Sequence, residues 1–301
     1  MKYKKENIFT LKEVADFLTV PVPNLVYLSN NMHKNIRESK KLKKGSLTDM
    51  RTITAPSKNL KAVLRLVKSQ ILSTYSFRSY VYGLGGNTLK QHASIHEGNK
   101  EIIQVDLTDF YPSIKHDMVY KMWIEVFEIS PEAARILTRI TTMGGGLKQG
   151  FPTSSHIAGI VAEEFTSSID DYCGTNNLKF TQYVDDLNIS GIDVDLRMVF
   201  KTIISLGRVH RLTIKRKKTK VNSRLDGKTI TGVALFNQQT RATKEVRNRA
   251  VGALRDLASS PKDEHYRNRA SGYLGFLKHL NRRDGNRYAK LRDDIINSKI
   301  N

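Results

Sequence analysis

Two short acidic blocks carry the residues best suited to chemistry. Asp185 and Asp186 stand side by side in FTQYVDDLNIS, and Asp106 sits in IIQVDLTDFYPSI. Apolar, strand-forming residues flank both blocks, so each aspartate falls at the end of an extended segment. Adjacent carboxylates on a hairpin turn repel each other, and apolar flanks deepen that cost. Hard divalent cations relieve it through carboxylate oxygens. A third carboxylate on a neighbouring strand completes a site for two ions about 3.5–4 Å apart. Such a pair activates a hydroxyl nucleophile and stabilises a pyrophosphate leaving group in one in-line displacement. An Asp-Asp pair alone reads more readily as a turn or a helix cap than as a metal site. The third aspartate, on a separate strand, favours the metal site.

The elements that must position these groups follow from residue pattern. Residues 102–107 predict an apolar strand and 118–127 a helix. A further helix starts at Ser130, the N-cap, with Pro131 in its first turn. Residues 154–172 place Ile157, Ile160, Val161, Phe165, Ile169 and Tyr172 on one helical face. Residues 178–183 and 187–190 predict two strands around the acidic turn, followed by a helix at 196–206 and a strand-like segment at 212–214. That order suggests a split βαβ sheet of the ferredoxin-like kind. Upstream, residues 11–28 read as two short helices broken at Pro21 and Pro23. Residues 34–44 read as a solvated charged loop, 49–55 as a strand and 58–74 as a helix. Beyond Thr240 only helices are expected. Val246, Ala250, Leu254 and Leu257 share one face; Tyr273, Phe276, Leu277 and Leu280 share another, with Arg and Lys opposite. A domain boundary is expected near residue 237.

A formal net charge of +21 over 301 residues points to a polyanionic partner, nucleic acid above all, because neutralising phosphates releases counterions. Hydrophobic residues make up 39% of the chain, enough for a folded core. The one cysteine, Cys173, excludes an internal disulfide framework and fits a reducing compartment. The amino-terminal stretch has no apolar run of the signal-peptide kind, and no segment is long enough to span a bilayer. The expectation is a soluble cytoplasmic protein with no membrane partner.

Five blocks, in order, resemble those of reverse transcriptases. RTITAPSKNLK (51–61) is similar to the fingers motif. DLTDFYPSI (106–114) is similar to the first palm motif and GLKQGFPTSSHIAG (146–159) to the motif containing QGxPxS. Tyr183-Val184-Asp185-Asp186 resembles the YxDD box, and LTIKRKKTKV (212–221) the palm element ending in Lys-Thr. The resemblance implies an α+β right-hand polymerase with fingers, a ferredoxin-like palm and an α-helical thumb. Residues 1–105 would form the N-terminal helices and fingers, which continue within 115–155; 106–236 the palm; and 237–301 the thumb. It also implies an RNA-directed DNA polymerase using deoxynucleoside triphosphates and two Mg2+ or Mn2+ ions. Asp106, Asp185, Asp186 and the backbone of Leu107 would hold the metals. Asp109 and Phe110 would turn backbone N–H groups to the triphosphate, and Tyr111 would exclude a 2′-hydroxyl. Gln149 and Gly150 would position the incoming nucleotide. Arg51, with Lys44, would clamp its phosphates, and Lys218 would donate a proton to pyrophosphate. Gly144 to Gly146 lack the Lys-Ser/Thr ending of a phosphate loop and read as a flexible turn.

Further features resemble bacterial retron reverse transcriptases. His92-Ala93-Ser94-Ile95-His96 stands where they carry Asn-Ala-x-x-His, and Ile230-Thr231-Gly232 where they carry Val-Thr-Gly. Ser155 and Gly159 depart from the usual Pro and Asn. The resemblance implies a structured non-coding RNA as template and primer, a single-stranded DNA product or RNA–DNA hybrid, and antiphage defence with an effector protein. His92, Ala93, His96, Ile230, Thr231, Gly232 and Arg247 are the expected RNA-binding residues. For Ala93 and His96, packing beneath the palm is the competing expectation. Two other readings stand beside this one. One is a defence-associated reverse transcriptase that makes repeat or protein-primed DNA. The other is a catalytically dead RNA-binding protein on a polymerase scaffold.

Overall fold

The computed structural model describes residues 10–42, 48–84, 86–222, 228–236 and 239–300. Thr10 and Glu13 close a reciprocal capping box at the start of α1 (Leu11–Phe17), and Pro21 precedes α2 (Val22–Asn30). Next, β1 (Ile36–Leu42) pairs with β2 (Met50–Pro56) as an antiparallel ribbon running from Ile36↔Pro56 to Leu42↔Met50. The charged run expected to be a loop is thus a strand over residues 36–42. Its side chains are almost all exposed, so it shows no apolar alternation; backbone pairing holds it, helped by a 3.3 Å bond from the Thr54 hydroxyl to Glu38 and by Ile36 at its base.

Ser57 caps α3 (Lys58–Leu66), which runs on through a π-helical stretch, Val67–Ile71, and a 3-10 turn, Leu72–Thr74. Then come β3 (Val81–Tyr82), α4 (Leu89–Ser94), β4 (Glu101–Asp106), α5 (Phe110–Ser113), α6 (His116–Glu125) and α7 (Pro131–Thr141), the last capped by Ser130. The expected helix over 154–172 is two: α8 (Ser154–Val161) and α9 (Glu163–Thr175). The bend sits at Ala162 (φ −80, ψ −2), and the bonds Ala162 N–H to Ala158 O and Thr166 N–H to Ala162 O run through it. The shared apolar face therefore survives the bend.

The acidic hairpin is β5 (Lys179–Tyr183) and β6 (Asp186–Gly191), followed by α10 (Leu196–Val209) and β7 (Lys220–Asn222). The strand-like segment at 212–214 contributes only the bridge Leu107↔Ile214; its alternation reflects burial of Leu212 and Ile214, not ladder pairing. The central sheet has the order β3-β5-β6-β4-β7. Without β3, which joins β5 in parallel, this is the ferredoxin-like arrangement, with β4 antiparallel to both β6 and β7.

The two faces of this sheet differ in chemistry because alternate residues point opposite ways. Ile103, Val105, Phe180, Leu187 and Ile189 belong to the main core with Ile157, Phe165, Ile169, Val199 and Ile203 of the helices. On the other face lie Asp106, Gln104, Asn188, Ser190, Thr181 and Tyr183, joined by register. Three short strands, β8 (Thr229–Ile230), β9 (Val233–Phe236) and β10 (Gln239–Ala242), lead into α11 (Lys244–Ser259), α12 (Glu264–Leu280) and α13 (Arg282–Ile300). A second core joins Ala93 and Ile102 to Ile230, Val233, Leu235, Ala250, Leu277 and Leu280. The antiparallel pair β9–β10 thus straddles the boundary expected near residue 237, and β10 runs two residues past Thr240, beyond which only helices were expected. Among the described residues no helix is long and apolar enough to cross a membrane.

Candidate active site

Backbone register gathers the acidic residues. Asp106 ends β4 directly opposite Asp186, which begins β6, and the Leu107 N–H donates to Asp185 O at 3.2 Å. Tyr183 pairs with Asp186, so Val184 and Asp185 form a two-residue turn. Val184 takes φ +56, an uncommon conformation for a β-branched residue that costs roughly 1–2 kcal/mol. Gln182, itself buried, steadies the turn by donating from Nε2 to Val184 O at 2.9 Å. The far side of Asp106 is fixed by Lys215 N–H donating to its carbonyl at 2.8 Å. Among the described residues no three His, Cys, Asp or Glu side chains close into a coordination cluster. The gathering is one of strand ends, and carboxylate oxygens suit hard divalent cations.

The turn after β4 aims the next residues. Asp109 is left-handed (φ 44, ψ 48), and Ser113 N–H returns to its carbonyl at 2.8 Å. Phe110 is buried. Tyr111, half-buried, shares a 2.9 Å hydrogen bond between its hydroxyl and that of Ser155 on α8. Burial raises the Tyr111 pKa, the Ser155 bond opposes that, and the negative charge of Asp185 adds to it. Tyr111 therefore lies within electrostatic reach of the acidic turn. Ser155 enters the sequence pattern only as a departure from proline, and its hydroxyl turns out to hold the tyrosine.

Gln149 and Gly150 dock on the fingers ribbon. Thr54 N–H donates to Gln149 O at 2.9 Å, three residues along β2 from Arg51, which is exposed. Gly150 has φ +119, and a Cβ there would stand 2.4 Å from Thr54 O. Gly144 and Gly145 also have positive φ, but this turn is built: Gly146 bridges to Met143 and Lys115, and a Cβ on Gly146 would meet Pro112 O at 2.8 Å. Lys44 lies outside the described residues. Lys218 ends the 3-10 turn Arg216–Lys218, and its side chain lies outside the described residues.

The expected RNA-binding residues divide. His92, Ala93, His96 and Ile230 are fully buried: for His92 and Ile230 this corrects an expected place on an RNA-facing surface, and for Ala93 and His96 it is the competing expectation of packing beneath the palm. His92 bonds Thr181 at 2.8 Å and Thr231 at 3.1 Å; His96 bonds Thr181 at 2.7 Å and Ser190 at 2.6 Å. Thr231 and Gly232 form the two-residue turn between β8 and β9, both with positive φ (46 and 83), as a type I′ hairpin requires. Gly232 is exposed and Arg247, on α11, half-buried. Nearby, Arg249 pairs with Glu245 and Arg269 with Asp256.

Burial pushes His92 down to about 4; burial and then neighbouring His92 push His96 down to about 3. Both folded values lie below the ordinary 6.5, so the unfolded chain binds protons more readily. The stability they contribute is complete above pH 6.5 and is lost as pH falls toward 4 and 3. At pH 5 the expected loss is on the order of 2 kcal/mol per histidine. Urea unfolding at pH 7.5 and pH 5 checks this, and equal midpoints would refute it.

A family model described as "Reverse transcriptase (RNA-dependent DNA polymerase)" matches residues 41–276. The chain is 26% identical over 216 residues to the Retron Se72 reverse transcriptase of Salmonella heidelberg, covering 69% of this chain and 57% of that protein. It is 27% identical over 241 residues to the Retron Ec86 reverse transcriptase of Escherichia coli, covering 78% and 73%. The chain thus spans between about half and three quarters of these relatives. Among solved structures, telomerase from Candida albicans in complex with a fragment of telomeric RNA superposes with a TM-score of 0.50 at 13% identity, over 88% of this chain and 58% of that one. That likeness is one of fold.

Proposed function

Because the chain belongs to the reverse transcriptase (RNA-dependent DNA polymerase) family, we propose that it copies an RNA template into DNA from deoxynucleoside triphosphates. One observation carries the reading: the strand register that sets Asp106 opposite Asp186, with Asp185 tied to the Leu107 backbone. Asp106, Asp185, Asp186 and the Leu107 carbonyl would hold two Mg2+ or Mn2+ ions. When bound, such ions stabilise charge on the attacking hydroxyl and the leaving pyrophosphate.

The remaining work falls to the chain's own groups. Arg51, joined by Lys44, grips the triphosphate, and the backbone N–H groups at Asp109 and Phe110 face its oxygens. Tyr111, held by Ser155, lies under the sugar and leaves no room for a 2′-hydroxyl. Gln149 and Gly150 seat the incoming nucleotide, and Lys218 protonates the pyrophosphate. In this division residues 1–105 supply the N-terminal helices and fingers, 106–236 the palm and 237–301 the thumb.

Similarity to the retron enzymes extends the proposal to its partners. The template and primer are a cognate structured RNA, the product is single-stranded DNA joined to it, and the setting is cytoplasmic antiphage defence with an effector protein. Gly232, Arg247 and the basic outer faces of α11–α13 meet the RNA through its phosphates and 2′-hydroxyls.

Primer extension on an RNA template with Mg2+ is the direct test, and absence of extension would refute the polymerase reading. Sequencing the nucleic acid that co-purifies tests the partner: RNA-linked branched DNA is expected, whereas tandem repeats or a DNA–protein linkage would favour the other defence class. Tyr111→Ala is expected to weaken discrimination against ribonucleotides by about 10- to 100-fold, the value of one lost steric contact. Competition between deoxynucleotides and ribonucleotides measures it, and wild-type selectivity in the variant would remove Tyr111 from this role.

A further inference from the structure

His92 lies outside the metal site, yet its ring is enclosed by parts of two domains. It stacks on Tyr183 (centroids 5.5 Å apart, planes at 22°) and on Tyr82 (5.0 Å, 30°). Tyr183 is the residue before the Val184–Asp185 turn. It is also confined from the side of Gly83, where a Cβ would come within 2.9 Å of its ring. On the other side, His92 Nδ1 meets the Thr231 hydroxyl at 3.1 Å. Thr231 belongs to the turn whose neighbours Ile230 and Val233 pack with Ala250, Leu277 and Leu280 of the C-terminal helices.

The proton positions along this network are consistent with one direction. The Asn99 amide donates to Ser190 Oγ at 2.7 Å, and the only acceptor bonded to that hydroxyl among the described residues is His96 Nδ1. His96 then carries its proton on Nε2 and gives it to Thr181 Oγ1. The Thr181 hydroxyl donates onward to His92 Nε2, which the Asn188 amide also approaches, at 3.5 Å. His92 is left with its proton on Nδ1, aimed at Thr231 Oγ1. Every polar atom of both rings is used, as fully buried imidazoles require.

We propose that His92 is a positioning residue that couples the Thr231–Gly232 turn, at the root of the helical thumb, to Tyr183 and hence to the orientation of the Asp185–Asp186 turn. The inference rests on the polymerase reading above. It assigns His92 a part in turnover without contact with nucleotide, metal or RNA.

A double-mutant cycle tests it. His92→Phe keeps an aromatic ring between the two tyrosines and removes the ring's hydrogen bonds to Thr181, Asn188 and Thr231; Thr231→Val removes only the distal acceptor. Each single variant is expected to lower kcat for extension of an RNA–DNA primer-template about 10-fold, the cost of a small misplacement. KM for deoxynucleotide and Kd for the hybrid should stay within about two-fold, as expected when only transition-state alignment is lost. The double variant should be no slower than His92→Phe, and Thr231→Ser should recover most of the turnover. Multiplicative losses in the double variant, or a loss confined to Kd, would overturn the coupling. If His92→Phe does not fold, Thr231→Val against Thr231→Ser still decides: equal turnover in the two refutes it. No extension by the wild type would instead overturn the polymerase reading, and this inference with it.

Discussion

Changing Asp185 and Asp186 together to Asn reduces deoxynucleotide incorporation by about 10³-fold or more, roughly 4 kcal/mol of transition-state stabilisation. The loss should lie in chemistry, not in folding. Asp185 and Asp186 are adjacent acids on a two-residue turn, with Asp106 opposite Asp186 on the next strand. Removing two like charges from that cluster relieves repulsion in the metal-free protein. Wild type should gain in Tm with millimolar Mg2+ by mass action, and the variant should not. Incorporation assays and thermal melts with and without Mg2+ read both effects. Wild-type incorporation by the double variant would sink the assignment of these carboxylates.

Gly150→Ala is the second large effect. The backbone at φ +119 is open almost only to glycine, and the added methyl would sit 2.4 Å from the Thr54 carbonyl oxygen. That oxygen belongs to the ribbon backbone and has no side-chain freedom with which to yield. The loop must lift, and the 2.9 Å bond from Thr54 N–H to Gln149 O lengthens or breaks. The expected cost is about 2–4 kcal/mol of stability. Turnover should fall about 10²-fold because Gln149 no longer sits at its station. Gly252→Ala, in α11 with nothing near its added Cβ, is the control; it should raise stability by up to about 1 kcal/mol. Equal Tm and kcat in Gly150→Ala and wild type would show that the loop is not pinned to the ribbon.

The acidic strand ends were legible because β4, β5 and β6 each carry a buried apolar side that marks them as strands. The helix starting at Ser130 was legible from its cap and the proline behind it. Other features were not, for identifiable reasons. The ribbon strand β1 is solvated on both sides, so its pattern is that of any charged loop. Residues 154–172 keep one apolar face through the bend at Ala162, and periodicity cannot report a bend that preserves the face. His92, on a short helix, and His96, in the turn after it, sit at positions that look the same whether they face water or a sheet. Only the packing of α4 over the polar face of the palm decides, and that packing is long-range. Ser155 was visible as a deviation from proline, but its bond to Tyr111 depends on how α8 lies beside α5.

The ribbon formed by β1 and β2 has a mechanical consequence. At its outer end, residues 37–42 and 50–52, its side chains are in water and bury little apolar surface. Its root is anchored, with Thr54 buried and bonded to the Gln149 loop. Arg51 thus sits on an arm whose root is bonded to the Gln149 loop, so the positions of the arm and of that loop are tied together.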